Sequence, residues 1–165
     1  MEPWYTLWGN SGMKTSFILL LFTVFTIQGF SQVAKPELDR LITDKIFVFK
    51  AQTALPLGGQ ARPLTGEYDI VVTADSVVAY LPYFGRAYNI DPFNSEGGIK
   101  FTSTDFVYTQ KDRKKKGWQV MIKPRDNADI QQLFLSVSPT GYATLQVTSN
   151  NRQPISFNGF VERRQ

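Results

Sequence analysis

The spacing of hydrophobic residues along the chain changes once, near Lys45, from a helical to a strand-like period. Within Pro36–Asp44, Leu38, Leu41 and Ile42 follow i, i+3, i+4 spacing. This spacing places the three apolar side chains on one side of a helix. The pattern therefore predicts one short amphipathic helix over residues 36–44.

After the helix, hydrophobic and polar residues alternate in short runs, which is typical of strands with one buried face. In Gly117–Lys123, Trp118, Val120 and Ile122 share one face and are expected to be core. The predicted strands are 45–53, 67–73, 76–81, a segment at 101 and 105–110, then 117–123, 132–138, 142–149 and 155–162. Gly159 is expected to mark a bulge in the last strand.

Turn signals separate the later strands at regular intervals, at residues 111–116, 126–129, 139–141 and 150–151. Regularly spaced short strands of this kind favour an antiparallel all-β domain. Seven to eight strands must close into a barrel or stack as a sandwich to hide their edges. The predicted fold class is therefore all-β, an antiparallel β-barrel or sandwich of seven to eight strands with one short N-terminal helix.

The segment ahead of the helix has the three-part pattern of a secretory signal peptide. Met13-Lys14 is a short basic start, Phe17–Ile27 is apolar apart from two threonines, and Gly29-Phe30-Ser31 supplies small residues for cleavage. The apolar stretch is shorter than the about 20 residues that span a bilayer. We expect residues 1–12 to be an upstream mis-start, 13–31 a cleaved signal peptide, and 32–165 a single periplasmic or secreted β domain. An uncleaved N-terminal anchor is the alternative.

Composition excludes several classes of protein. The 165-residue chain has no cysteine and no histidine. Disulfide frameworks, thiolate zinc sites and histidine-dependent triads are therefore excluded. We expect no cofactor, no metal and, because the chain is exported, no nucleic-acid partner. Membrane contact is expected only through the signal segment, if it stays uncleaved.

The net charge of +4 suits anionic glycans or lipid headgroups, and ordinary surface charge explains it as well. Lys111–Lys116 (KDRKKK) places five basic groups on a predicted hairpin tip. This tip is a candidate contact for anionic polysaccharide or a membrane surface. The alternative is a solvated tip that prevents edge-to-edge pairing.

The stretch with the most binding chemistry is Tyr80–Tyr88 (YLPYFGRAY), where a strand runs into a loop containing proline and glycine. Aromatic faces and a planar guanidinium suit sugar rings or an anionic group. The candidate ligand-binding residues are Tyr80, Tyr83, Phe84, Arg86 and Tyr88, with Glu96 as a further hydrogen-bond acceptor. The alternative for the loop is that it folds back and caps an open end of the barrel with its own aromatics. The alternative for Glu96 is a glycine turn that enters the next strand.

Several motifs, long and in order, resemble the family catalogued as domain of unknown function 4251. They are FVFKAQTALPLGG at Phe47–Gly59, YLPYFGRAY at Tyr80–Tyr88, SEGGIKF at Ser95–Phe101, KKKGW at Lys114–Trp118, LQVTSNNRQPISFNG at Leu145–Gly159 and the closing FVE. The resemblance extends from about Val33 to Glu162. It implies an exported protein typical of Bacteroidota, and it supplies no activity and no catalytic residues.

The leading hypothesis is an exported, non-enzymatic β domain that binds an envelope glycan, a lipid or a small amphiphile through the aromatic loop. The alternative is a structural or protein-interaction domain of the cell envelope without a small-molecule ligand. A hydrolase would need paired carboxylates, and the acidic residues are scattered among turns and exposed strand faces. We therefore expect no enzymatic activity.

Overall fold

The computed structural model describes residues 35–88 and 97–164, with Lys115 described in its backbone alone. Helix α1 spans Lys35–Thr43, which confirms the predicted helix within one residue. The strands are β1 Phe47–Pro56, β2 Arg62–Pro63, β3 Asp69–Val72, β4 Val77–Leu81, β5 Ile99–Ser103, β6 Phe106–Asp112, β7 Trp118–Pro124, β8 Ile130–Val137, β9 Tyr142–Ser149 and β10 Ile155–Glu162. A 3-10 turn at Lys114–Lys116 joins β6 to β7. In these ranges no helix is long and apolar enough to cross a bilayer.

The described strands form one antiparallel sheet in the order β5-β4-β3-β1-β10-β9-β8-β7-β6, and β2 pairs with β1 beside this path. The sheet curls into a nearly closed barrel, so the predicted antiparallel all-β class is confirmed. The prediction of seven to eight strands was too low. β2 has only two residues and shows no alternation, and β5 is separated from β6 only by Thr104-Asp105. The sequence pattern marked β5 only as a segment at 101 beside 105–110, so the strand count came out low.

The inward face of each long strand is apolar and fills the barrel. Trp118, Val120 and Ile122 are at most 3% exposed, which confirms their assignment to the core. The gap between side chains at the centre measures about 10 Å³, no more than one water molecule requires. It is lined by Phe47, Phe49, Ile70, Val72, Ile122, Leu133, Leu135 and Leu145. This central region therefore has no room for a ligand.

Helix α1 closes the end of the barrel where β1 begins. Its apolar side, Leu38, Leu41 and Ile42, is buried. The Trp118 indole N–H donates to the Asp39 carboxylate (2.9 Å), and the Tyr108 hydroxyl donates to the Ile42 carbonyl (2.8 Å). Burial raises the pKa of that tyrosine well above its ordinary value. The helix is thus joined to the barrel by both apolar and polar contacts.

A bulge lies between β1 and β10. Ala51 is opposite Gly159, whereas Thr53 is opposite Asn158, so Gln52 is the additional residue. The bulge was predicted at this point of the sheet, but its extra residue belongs to β1. A Cβ atom on Gly159 would collide with the backbone carbonyl of the facing strand, which explains why glycine stands there.

Candidate functional site

The loop of residues 82–88, here called the capping loop, crosses the barrel end opposite α1. The Tyr88 amide donates to the Asn151 carbonyl (2.7 Å), and the Gln153 amide donates to the Arg86 carbonyl (3.1 Å). These bonds join the loop in antiparallel fashion to the β9–β10 connection. The backbone of the capping loop is therefore held to this connection at two points.

Two of the predicted ligand-binding residues, Tyr83 and Phe84, are half-buried and pack against the hydrophobic core. The Tyr83 hydroxyl lies 2.9 Å from the Arg86 carbonyl and 3.1 Å from the Gln153 carbonyl. Burial raises the pKa of the Tyr83 phenol. The Arg62 guanidinium lies 4.9 Å from the centre of the Phe84 ring. These contacts are those expected of a loop that caps a barrel with its own aromatics.

The other predicted residues lie apart from this pair. Tyr80 projects from the outer face of β4, where its ring stacks on Tyr68 with centroids 5.6 Å apart. The Lys100 ammonium lies 5.0 Å from the Tyr80 ring centre. Arg86 and Tyr88 are exposed on the capping loop. Glu96 lies outside the described residues, so the structure brings only part of the predicted set together.

Arg152, which was not among the candidate ligand-binding residues, makes several polar contacts at this end of the barrel. Its guanidinium donates to the Gly98 carbonyl (2.7 Å) and lies 3.6 Å from the Asp129 carboxylate. It also lies 5.4 Å from the centre of the Tyr83 ring. Ser149 donates its hydroxyl to the same carboxylate (2.6 Å). This cluster joins the capping loop to three other segments and is structural in character.

A groove of about 480 Å³ lies on the outer face of the sheet. Its size falls within the range of small-molecule sites, about 300–1,000 Å³, but it is open to solvent. The lining residues are Gln52, Thr53, Lys116, Ser136, Ser138, Tyr142, Ala143, Thr144, Asn158 and Gly159. Most of these side chains are hydroxyls or amides, and none is a carboxylate. The bulge contributes to the groove, because Gln52 and Gly159 both lie in its lining.

Four polar side chains that line the groove, Thr53, Asn158, Thr144 and Ser136, belong to a row that crosses the strands in register and continues past the groove. We call it the polar row. From β1 to β6 it consists of Thr53, Asn158, Thr144, Ser136, Gln119 and Lys111, one residue per strand. Neighbouring strands lie about 4.7–4.9 Å apart, so polar groups recur along this line at about that interval.

Much of the hydrogen-bonding capacity of the polar row is available to a ligand. The Thr144 hydroxyl donates to the Asn158 side-chain oxygen (2.9 Å), which leaves the two amide N–H donors of Asn158. Thr53 and Ser136 make no side-chain hydrogen bond to any residue in the described ranges. Tyr142, at one side of the groove, is 60% exposed. Donors, acceptors and an aromatic face therefore surround one open surface.

Sequence reasoning missed the groove although it identified the polar face of the strands that form it. In Tyr142–Ser149 the alternation of Thr144, Gln146 and Thr148 marks the outward side. Alternation within a strand does not say which residue of the next strand lies opposite, because that depends on register. The polar row becomes visible only once the pairing is known.

Comparison with known proteins decides the family. The family model described as "Domain of unknown function (DUF4251)" matches residues 31–161, most of the chain. This chain belongs to the DUF4251 family. The resemblance found in the sequence motifs is thereby confirmed.

A solved structure of the DUF4251 family has a similar fold. The crystal structure of a DUF4251 family protein from Bacteroides eggerthii DSM 20697 matches with a TM-score of 0.56 at 18% identity. The match covers 80% of this chain and 89% of that chain. At this identity the likeness establishes the fold alone. No curated protein matches this DUF4251 chain.

Proposed function

We propose that this DUF4251 domain is an exported, non-enzymatic binding domain for a glycan of the cell envelope. The observation that carries the proposal is the polar row, four of whose members line a groove beside the exposed ring of Tyr142. Sugars present hydroxyl groups around an apolar ring face. Hydroxyl and amide side chains complement the former, and an aromatic ring complements the latter.

The distribution of space in the barrel favours a ligand on the outside. The central gap of about 10 Å³ cannot hold an acyl chain, whereas the outer groove of about 480 Å³ has the volume of a ligand site. This contrast favours a glycan over the lipid or small amphiphile that the sequence also suggested. A lipid-binding barrel would need an interior cavity.

The rigidity of the sheet supports binding by the polar row. Ser136, Thr144 and Asn158 lie on three adjacent strands in direct register. Side chains on paired strands have little backbone freedom, so a ligand does not have to order them. An array of individually weak hydrogen bonds can therefore add up to useful affinity.

The chemistry of the groove supports binding without catalysis. Glycoside hydrolysis requires two carboxyl groups about 5–9.5 Å apart, and the lining residues include no carboxylate. Export is supported by the sequence pattern, and the family match begins at Ser31, where cleavage of the signal peptide is expected. The proposed location is therefore periplasmic or secreted.

One observation favours the second candidate, a structural or protein-interaction domain. The half-buried aromatics of the capping loop pack on the core, and the Tyr83 hydroxyl bonds to backbone carbonyls. A domain with only structural aromatics at this loop needs no small ligand there. The groove is the feature that this candidate leaves unexplained.

A glycan array tests the proposal, with the full chain applied to immobilised neutral and acidic polysaccharides. Tyr142→Ala removes the exposed ring, and Thr144→Val removes one hydroxyl from the polar row. We expect Tyr142→Ala to weaken retention up to about tenfold, as loss of an aromatic contact does. Gln146→Ala is the matched control, because Gln146 is exposed on the same strand outside the groove.

Two results would contradict the proposal. One is that the wild-type chain is retained on no polysaccharide of the array. The other is that Tyr142→Ala and Thr144→Val bind as well as Gln146→Ala, which would place any bound glycan elsewhere on the domain.

A further inference from the structure

The excess positive charge of the chain is concentrated in one short segment, Lys111–Lys116, here called the hairpin tip. It contains five basic residues and one acidic residue, whereas the whole chain has 18 basic and 14 acidic residues. Outside the hairpin tip, basic and acidic residues are therefore equal in number. The net charge of +4 is a local property of this tip.

The backbone of the hairpin tip is fixed. The Arg113 amide donates to the Gly117 carbonyl (2.7 Å), and the Lys116 amide donates to the Arg113 carbonyl (3.1 Å). The Lys114 amide donates to the Asp112 carboxylate (2.6 Å). The single acidic group of the tip is thus engaged by the tip's own backbone, and the positions of the lysine Cα atoms are set before any ligand arrives.

Gly117 holds the hairpin tip against the end of β8. Its φ of 90° is accessible mainly to glycine, and a Cβ atom there would collide with the Val137 carbonyl. The tip consequently lies beside Ser138, the residue after β8, which lines the groove. This close contact places a strongly basic segment at one side of the groove.

One residue of the hairpin tip lines the groove, and another ends the polar row that continues from it. Lys116 is itself one of the lining residues. Lys111 is the last member of the polar row, opposite Gln119. Both lysines are exposed, and no carboxylate lines the groove. A ligand that follows the polar row toward β6 therefore reaches positive charge at its end.

We propose that the glycan is anionic and that its acidic groups lie at the hairpin-tip end of the groove, next to Lys111 and Lys116. This inference rests on the proposed function and adds the charge and the orientation of the ligand. The polar row contacts the sugar hydroxyls, Tyr142 contacts a ring face, and the two ammonium groups pair with carboxylate, sulfate or phosphate groups. The charged contacts weaken as salt increases, since they are exposed to solvent.

The experiment uses two polymers with the same sugar, polygalacturonate and its methyl ester, which lacks the negative charge. Affinities of the full chain for each are measured by calorimetry at low salt. We expect polygalacturonate to bind about fivefold more tightly or better. Lys111→Gln/Lys116→Gln should abolish this preference, so that polygalacturonate binds no more tightly than the ester. Lys35→Gln/Lys123→Gln removes equal charge from exposed sites elsewhere and should preserve the preference.

The outcomes separate this inference from the proposed function. Equal affinity for both polymers, sensitive to Tyr142→Ala, would overturn the inference and leave the glycan-binding function standing. Binding to neither polygalacturonate nor its ester, together with no retention on the glycan array, would count against both. The inference would also be overturned if Lys111→Gln/Lys116→Gln and Lys35→Gln/Lys123→Gln reduced the preference for polygalacturonate equally. The preference would then depend on the total charge of the protein and not on the two lysines at the groove.

A membrane surface is the competing source of negative charge. Vesicles of phosphatidylcholine with and without phosphatidylglycerol provide the comparison. We expect the full chain to bind both kinds of vesicle equally. Binding to the anionic vesicles should also be the same for Lys111→Gln/Lys116→Gln as for the wild type. Strong binding to the anionic vesicles that depends on these two lysines and not on Tyr142 would replace the glycan with a lipid headgroup.

Discussion

The capping loop and the polar row differ in what their polar groups do. In the loop, the Tyr83 hydroxyl and the Arg86 carbonyl bond to each other and to the β9–β10 connection. In the row, Thr53 and Ser136 make no side-chain hydrogen bond within the described ranges. The loop has the more distinctive residues, whereas the row has the more accessible ones. Chemical character and availability to a ligand are thus separate properties.

The same difference appears in burial. Phe84 and Tyr83 are half-buried against the core, and Arg152 packs beside them with its side chain 13% exposed. Thr144 and Asn158 are exposed on strands whose alternate residues fill the barrel. Substitutions in the loop should therefore affect folding first, and substitutions in the row should affect binding first.

Trp118→Ala sets the scale for a wholly structural aromatic. Trp118 is 3% exposed and bonds to Asp39 on α1. We expect a loss of about 3–5 kcal/mol in the free energy of unfolding, as for other large-to-small core changes. Urea denaturation followed by circular dichroism measures it. A loss within about 0.5 kcal/mol would mean that α1 does not depend on this contact.

Phe84→Ala and Tyr83→Ala should have the next largest effect. Because both rings are half-buried against the core, we expect each change to cost about 1.5–3 kcal/mol of unfolding free energy. Tyr88→Ala is the control on the same loop, since Tyr88 is 65% exposed. If glycan retention fell while the melting temperature stayed constant, the capping loop would be the site and the division would fail.

Acid should weaken the corner between β5 and β6. The Ser103 hydroxyl, followed by the Thr104 amide, stabilises the Asp126 carboxylate and lowers its pKa from 3.8 to about 2. A lowered folded-state pKa adds stability that is complete above about pH 4 and is lost as pH falls toward 2. Asp126→Asn should therefore flatten the stability curve in this window.

Thermal unfolding across this acid range measures the stability of the wild type and of Asp126→Asn. Glu67→Gln is the control, because Glu67 is an exposed carboxylate elsewhere. Glu67→Gln should retain the wild-type shape of the curve. An Asp126→Asn variant that loses stability toward pH 2 as steeply as the wild type would show that this carboxylate does not govern the acid response.

Ser136→Ala and Thr53→Val should have the smallest effect on folding. Their hydroxyls have no partner in the described ranges, so we expect stability to change by no more than about 0.5 kcal/mol. Retention on the glycan array should fall about threefold for each, the effect of one modest hydrogen bond. A large stability loss with unchanged retention would make the polar row structural and reverse the comparison.

The elements with regular alternation could be predicted from the sequence, and those that depend on pairing could not. The helix and the strands around Trp118 and Tyr142 were predicted within one or two residues, because burial on one side leaves a periodic signal. β2 was missed, since the pair Arg62–Pro63 becomes a strand only through its bonds to β1. Gly159 signalled the bulge but not which strand has the extra residue.

For the candidate site, too, residue types could be recognised in the sequence, whereas their spatial arrangement could not. Tyr83 and Phe84 attract attention as aromatics beside a proline and a glycine, yet only the three-dimensional structure shows that they face the core. Ser136, Thr144 and Asn158 are common surface residues, and their significance comes from cross-strand register. Register arises from contacts between distant parts of the chain, which a single sequence does not state.

Strand β1 has a consequence for the order of folding. The hairpins from β6 to β10 pair with their sequence neighbours, and so do β3, β4 and β5, whereas β1 pairs with β10 from the opposite end of the described chain. Long-range pairing has a large loop-closure cost and tends to form late. We therefore expect the β3–β5 and β6–β10 groups to form first, and the pairing of β1 with β10 to be the slow step that joins them. A chain that lacked β10 would leave β1 and β9 as long unpaired edges, open to aggregation with other copies.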